Sequence, residues 1–411
     1  MRKEGYVLME KYFVRLKELY PELVDFRRDL HMYPELSHTE EDTPKKIADF
    51  LTSIGLEVRT GVGGRGVVGT LQGNNPGKTV ALRADFDALP IQDEKDVDYK
   101  SRIPGVMHAC GHDLHTAALL GVAKVLSENR DNINGNIVFI HQFAEEVIPG
   151  GAKAMIEDGC LQDVDIVYGA HVSSTDPLGR IGIKEGYAMA NGDIFEIEIS
   201  GKGGHAATPH LTVDPLVAGS QLLLNLQQIV SRQVNPIDSA VVTVASFHGG
   251  EGYNVIPDKA KITGTVRTFK ETVRDHIEQA IGQIAESTCS GLGASIDYNY
   301  TRGYPALINH SEETKRVEKV AVSLFGKETV KRTSPQMGME DFAYYLKERP
   351  GSFFWVGGAL EDQTKIYPHH HPKFDVDEQA ILYIGKLFIG LVSEFLSLNK
   401  SKMTTDKETI R

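Results

Sequence analysis

The sequence predicts an α/β fold: a discontinuous domain on a mixed, largely parallel sheet, interrupted by a smaller α+β domain. Three observations predict it. Helical and strand-like segments alternate through the first 186 residues and again after about residue 300, the pattern of a largely parallel sheet covered by helices. Between them, 187–300 runs β-α-β-β-α-β, the order of a ferredoxin-like four-stranded sheet with two helices on one face. At 411 residues the chain is long enough for two cores. The expected domains are therefore 1–186 with 301–411, and 187–300.

Element by element, helices are expected over 12–20, 22–32 and 43–51, the last ending at Gly55. Strands follow at 67–71 and 79–83, separated by the turn-rich GNNPG of 73–77. A helix is expected over 116–126, a short buried strand over 136–141, a helix over 151–158 and a strand over 166–169. In the middle, 193–200 alternates apolar and polar residues. A helix over 213–231 follows, then strands at 239–248, 261–268 and 295–300, with a helix over 272–287 before the last strand. After Gly303 come a helix over 312–324, a strand over 352–356 ending at Gly357-Gly358, and a helix over 378–398. The polar stretch 399–411 is expected to fray.

Composition narrows the function. The net charge of −12 argues against nucleic acid as the main partner. No apolar run approaches a membrane span, and the opening MRKEGYVLMEKYF is too charged for a signal peptide. Three cysteines, Cys110, Cys160 and Cys289, make no disulfide framework, which points to the cytoplasm.

The chemistry-bearing residues fall into separate segments. MHACGHDLH at 107–115 packs three histidines, a cysteine and an aspartate into nine residues just before a helix. Thiolate and imidazole suit zinc and similar transition ions, although a turn with a buried thiol reads equally well in isolation. Glu145-Glu146 follows a buried strand, where parallel sheets open their ligand crevice. One carboxylate can bind metal and its neighbour act as base; a solvated helix start is the plainer alternative. His171 ends the next strand at the same edge, and His369-His370-His371-Pro372 adds a histidine run. Four such segments at strand ends or loops are much harder to attribute to chance than one. Asp87, in RADFD, is placed to orient a metal-bound histidine through its second nitrogen. In the middle domain, the glycine-rich GKGGHAA presents His205, GYNVIP presents Asn254, and Arg267 ends a strand. These supply donors for a carboxylate and a developing oxyanion.

These segments resemble the aminoacylase, hippurate hydrolase and indole-acetyl-amino-acid hydrolase group of dinuclear metallopeptidases, related to glutamate carboxypeptidase. The resemblance runs through DLHMYPEL (29–36), LRADFDALP (82–90), the 110–115 motif, Glu145-Glu146, GGHAA (203–207), NVIP (254–257), GTVR (264–267) and HHP (370–372). It implies a zinc-peptidase-like catalytic domain with an inserted lid that dimerises, and two divalent ions per subunit (Zn, Mn, Co or Ni). It matches Cys110, His112, Glu146, His171 and His370 to the metal ligands, Glu145 to the catalytic base and Asp87 to the acid behind the ligands. His370 is chosen because one residue separates the family's ligand from the proline. His205, Asn254 and Arg267 would then meet the substrate, an N-acyl-L-amino acid with an N-acetyl, N-benzoyl or similar group. Two departures stand out: Phe143 where relatives often have proline, and Val147-Ile148 where they often have glycine. A dipeptidase or carboxypeptidase of the same group, and a catalytically silent metal-binding protein, are the competing expectations.

Overall fold

The computed structural model describes residues 3–396, so the expected tail 399–411 and the last two residues of the expected helix 378–398 lie outside the described residues. The chain forms two compact units, Met1–Gly186 with Asn309–Ser334 and Tyr344–Arg411, and Tyr187–Ile308 with Pro335–Ala343.

The first unit carries an eight-stranded sheet in the spatial order Glu57–Val62, Gly66–Gln72, Asn134–Gln142, Asn75–Asp85, Ile166–Pro177, Gly351–Ala359, Ile181–Ile183, Val330–Arg332. The four central strands are mutually parallel, and the hairpin strands flanking them add antiparallel pairs. Parallel strands buried on both faces need near-continuous apolar runs. Ile137, Phe139 and Ile140 on one strand and Val80, Ala81 and Leu82 on its neighbour are all fully buried. Register levels the functional positions: Asp85 pairs with Gln142, Arg83 with Gly169, and Trp355 with His171.

Five sequence expectations are corrected in the first unit. The helices expected over 12–20 and 22–32 are one helix, Lys3–Met32, running through Pro21. Tyr12, Leu16, Leu19, Leu23 and Leu30 are buried along it. Leu16 and Leu23 sit so tightly on Gly121 that a Cβ there would lie 2.5 Å from Leu23 Cδ1. Packing on that face outweighs the backbone bond that proline removes. The helix expected from 116 begins at His112, so His112 and His115 lie inside it rather than before it. The strand carrying His171 runs Ile166–Pro177, which places the histidine mid-strand. Residues 73–77 are not simply a turn between adjacent strands: the next strand starts at Asn75, and Asn134–Gln142 lies between the two. The expected end at Gly357-Gly358 is passed by Gly351–Ala359, because a Cβ on Gly357 would lie 2.0 Å from Pro177 O and only glycine admits that approach.

The second unit has the expected β-α-β-β-α-β order. Its sheet is Ala240–Gly249, Lys259–Thr268, Asn191–Ser200, Ser295–Arg302, every pair antiparallel. The helix expected over 213–231 is Pro215–Leu226, started by Asp214, whose side chain accepts from the Leu216 amide, and followed by a separate wide turn at Ile229–Gln233. Helix Glu271–Gly291 lies beside it. Phe195, Ile197, Ile199, Leu222, Leu226, Ile262, Ile277 and Ile281 form a buried core of the unit's own. Among the described residues no helix is long and apolar enough to cross a membrane.

Candidate metal centre and active site

The 107–115 motif turns into its helix at Gly111, whose φ is +100°. A Cβ there would lie 2.4 Å from Val172 Cγ1, so glycine is required by backbone angle and by space together. The turn brings the motif against the strand carrying His171, and Cys110 Sγ lies 3.4 Å from His171 Nε2. His171 Nδ1–H donates to the Val172 carbonyl at 2.7 Å, which leaves the Nε2 lone pair facing the thiol. Burial, then the neighbouring His115 and His369, hold His171 well below the usual imidazole range, so it is neutral, as a ligand must be.

His112 is fully buried, and its Nδ1 meets Asp87 Oδ1 at 3.0 Å. Asp87 also accepts from Ser37 Oγ at 2.7 Å and from the Glu146 amide at 3.0 Å. The opposite nitrogen, His112 Nε2, is buried without a hydrogen-bond partner and lies 3.8 Å from Glu146 Oε1. Burial opposes a charge on His112, but Asp85, Asp87 and Glu146 outweigh it and push its pKa up to about 10. Burial and the carboxylates Glu146, Glu145 and Asp85 hold the Cys110 thiol far above its ordinary range. Cys110, His112 and Glu146 offer atoms all within 4.8 Å of one another. A buried imidazole nitrogen without a partner, a thiol and a carboxylate at this spacing fit a divalent cation. The cation would take the place of the His112 proton and make the thiol a thiolate.

The three-histidine run sorts into three roles. His370, at φ +64°, places Nε2 3.3 Å from Glu146 Oε1, and its amide donates to the Ala109 carbonyl at 2.8 Å. His369 forms a second cluster within 4.8 Å with Cys110 and His171. His371 stacks on Tyr367 with ring centroids 4.4 Å apart, and its Nδ1 accepts from the Lys373 amide. The structure thus brings Cys110, His112, Glu146, His171 and His370 together, with Asp87 behind His112 and Glu145 buried beside Glu146.

In the second unit, His205 pairs with Val255, and the Ala206 amide donates to the Asn254 carbonyl at 3.0 Å, so His205 and Asn254 are neighbours. His205 is exposed and its Nδ1 accepts from the Ala207 amide. Arg267, half-buried, lies on Lys259–Thr268 opposite Gly192 and Val241. Burial draws its pKa down and Asp193 draws it up.

Sequence reasoning gave no task to Asp85, His115 or Glu40. Asp85 is fully buried, 2.6 Å from both His115 Nδ1 and Arg83 Nη1. His115 lies among His112 and His171, but its Nε2 accepts the Val172 amide at 2.9 Å. Both of its nitrogens are used, so it braces the site. A carboxylate two residues before Asp87 at the same strand end was the available signal for Asp85; nothing local marks Glu40.

Thiol, imidazole and carboxylate donors gathered beside a largely parallel sheet make this a site for divalent cations, and the relatives place it among metal-dependent amidohydrolases. The chain belongs to peptidase family M20/M25/M40, whose model matches residues 81–393. It is 53% identical over 376 residues to the putative amidohydrolase YhaA of Bacillus subtilis, covering 92% of this chain and 95% of that one. It is 42% identical to thermostable carboxypeptidase 2 of Saccharolobus solfataricus (94% and 98% covered) and 40% identical to the N-acetyl-L-cysteine deacetylase of Bacillus subtilis (96% and 92%). Among solved structures it matches the Bacillus subtilis YXEP protein, a dinuclear metal-binding peptidase of the M20 family, with a TM-score of 0.79, 35% identity, and 93% and 100% of the two chains covered.

Proposed function

We propose that this metallo-amidohydrolase cleaves the amide bond of N-acyl-L-amino acids, with Cys110, His112, Glu146, His171 and His370 holding two divalent ions and Glu145 as the base. The observation that carries the reading is the convergence of those five donors from four distant segments beside buried Glu145. The substrate class is supported by the N-acetyl-L-cysteine deacetylase among the relatives.

When bound, divalent ions supply Lewis acidity toward water and the amide carbonyl. Glu145 takes a proton from the attacking water and returns it to the departing amine nitrogen, because one carboxylate can serve as base and then as acid. Asp87 fixes the His112 ring through Nδ1 and anchors the Glu146 amide, so the chain on either side of the reaction is held still. His205 donates to the carbonyl oxygen as charge builds on it, and Asn254 and Arg267 hold the substrate carboxylate. The reading includes zinc, manganese, cobalt or nickel as the ion, a reducing cytoplasmic setting for three free cysteines, and a homodimer formed through the second unit, which serves as lid over 187–300.

The test is Glu145→Gln in the metal-loaded enzyme, assayed on a panel of N-acetyl and N-benzoyl amino acids and dipeptides. Turnover is expected to fall about 10²- to 10⁴-fold with metal content unchanged. Wild-type turnover in that variant refutes the assignment of the base. Carboxypeptidase activity, suggested by the carboxypeptidase relative, is the second reading; faster hydrolysis of peptides than of N-acyl amino acids across the panel would establish it instead.

A further inference from the structure

Ala144, the residue before Glu145, has a φ of +49°, a left-handed conformation that a side chain disfavours. It is fully buried and clamped at both ends. Its carbonyl accepts from the Gly151 amide at 3.1 Å, and its amide donates to Glu40 Oε1 at 3.0 Å. On the far side of Glu145, the Glu146 amide donates to Asp87 Oδ2 at 3.0 Å. Two carboxylates from separate segments therefore grip the backbone on either side of the base, Asp87 at the peptide that follows Glu145 and Glu40 at the peptide that enters Ala144.

Glu40 is itself held. The Arg65 guanidinium donates to its main-chain carbonyl, and the amides of Glu41, Asp42 and Thr43 all donate to the Glu35 carboxylate, at 2.9, 3.0 and 2.8 Å. Its side chain is completely buried, and Oε2 makes no hydrogen bond. A carboxyl buried at that cost, bonded only to main-chain amides, its own and that of the left-handed residue before the base, is explained by what the Ala144 amide positions. We infer that Glu40 is a positioning residue for catalysis: by accepting the Ala144 amide it fixes the left-handed turn from which Glu145 projects. The inference rests on Glu145 being the base.

The experiment compares Glu40→Gln, Glu40→Asp and Glu40→Ala with Glu145→Gln, all as metal-loaded full chains, on the fastest N-acyl amino acid of the panel. Glutamine keeps an acceptor at the Oε1 position; aspartate keeps the charge but withdraws the acceptor by one methylene. Expected are a kcat within about threefold of wild type for Glu40→Gln and about 10- to 100-fold lower for Glu40→Asp and Glu40→Ala, with KM and metal content unchanged. If Glu40→Ala does not fold, the contrast between the aspartate and glutamine variants carries the decision. Wild-type kcat in Glu40→Asp, equal losses in the glutamine and aspartate variants, or a loss that tracks metal content overturns the inference. An inactive Glu145→Gln beside unaffected Glu40 variants sinks this inference alone. A fully active Glu145→Gln sinks the base assignment and this inference with it.

Discussion

At the scale of single residues, the site depends on which atom of each side chain is already engaged. His115, buried, and His171, half-buried, sit with ring centroids 4.6 Å apart, yet the first spends its Nε2 on the Val172 amide and the second turns it to the Cys110 thiol. In the histidine run, His370 faces Glu146, while His369 accepts the Ser174 amide at Nε2 and lies with Cys110 and His171. His370→Ala is expected to lose about one ion per chain by elemental analysis, whereas His369→Ala keeps both; the reverse result would move the ligand assignment by one residue. Glu40 gives a second prediction. Burial, with Asp87 nearby, raises its pKa from 4.5 to about 7. Its folded state thus holds a proton that the unfolded chain releases. The associated stability is complete below about pH 4.5 and is lost as pH rises through about 7. In metal-stripped protein, the melting temperature of wild type should fall relative to Glu40→Gln between about pH 5 and 8. Parallel pH curves for the two proteins would contradict this.

Between elements, one buried ionic network ties the metal-motif helix to its surroundings. Arg27 on Lys3–Met32 pairs with Asp113, between His112 and His115, at 2.8 Å. It reaches Asp375 and Glu378, just past the histidine run, at 3.3 and 3.2 Å. His31 meets Asp113 from one nitrogen at 2.8 Å and Lys95 from the other at 2.7 Å, and Lys95 also donates to the Phe374 carbonyl. Removing one member leaves others buried and uncompensated, so Arg27→Met is expected to cost about 3–5 kcal/mol in urea unfolding. A change below about 1 kcal/mol would mean that water or rearrangement replaces the guanidinium. Pro21, exposed on the same helix, lacks the amide that an interior position uses. Pro21→Ala should therefore stabilise by about 1–2 kcal/mol, the helix gain being offset in part by a freer unfolded chain; a lower melting temperature would contradict that.

For the whole molecule, the two units have separate cores, and the five proposed ligands all lie in the first. A ligand that binds only the folded state stabilises by mass action, by about 4 kcal/mol at a thousandfold excess over Kd. Chelation is thus expected to lower the melting transition of the first unit and leave that of the second in place, followed by calorimetry with and without chelator. Equal shifts in both would indicate that the units unfold as one.

The sequence by itself determined the fold class, the inserted β-α-β-β-α-β unit, and the donor types at the 107–115 motif, Glu145-Glu146, His171 and the histidine run. Period-2 and period-3.6 patterning and the rarity of clustered Cys and His are local properties, readable without coordinates. Element ends were less legible. The sequence places the helix after His115 and the strand end before His171, yet bonds from His115 to Asp85 and the Val172 amide, and from His171 to the Val172 carbonyl, hold both inside their elements. Only the tertiary structure decided which nitrogen is open, which of three adjacent histidines faces Glu146, and that Glu40 reaches Ala144 across 104 positions. Those facts follow from strand register, two left-handed residues and hydrogen bonds between distant segments, and none of these leaves a local mark on the residues it aligns.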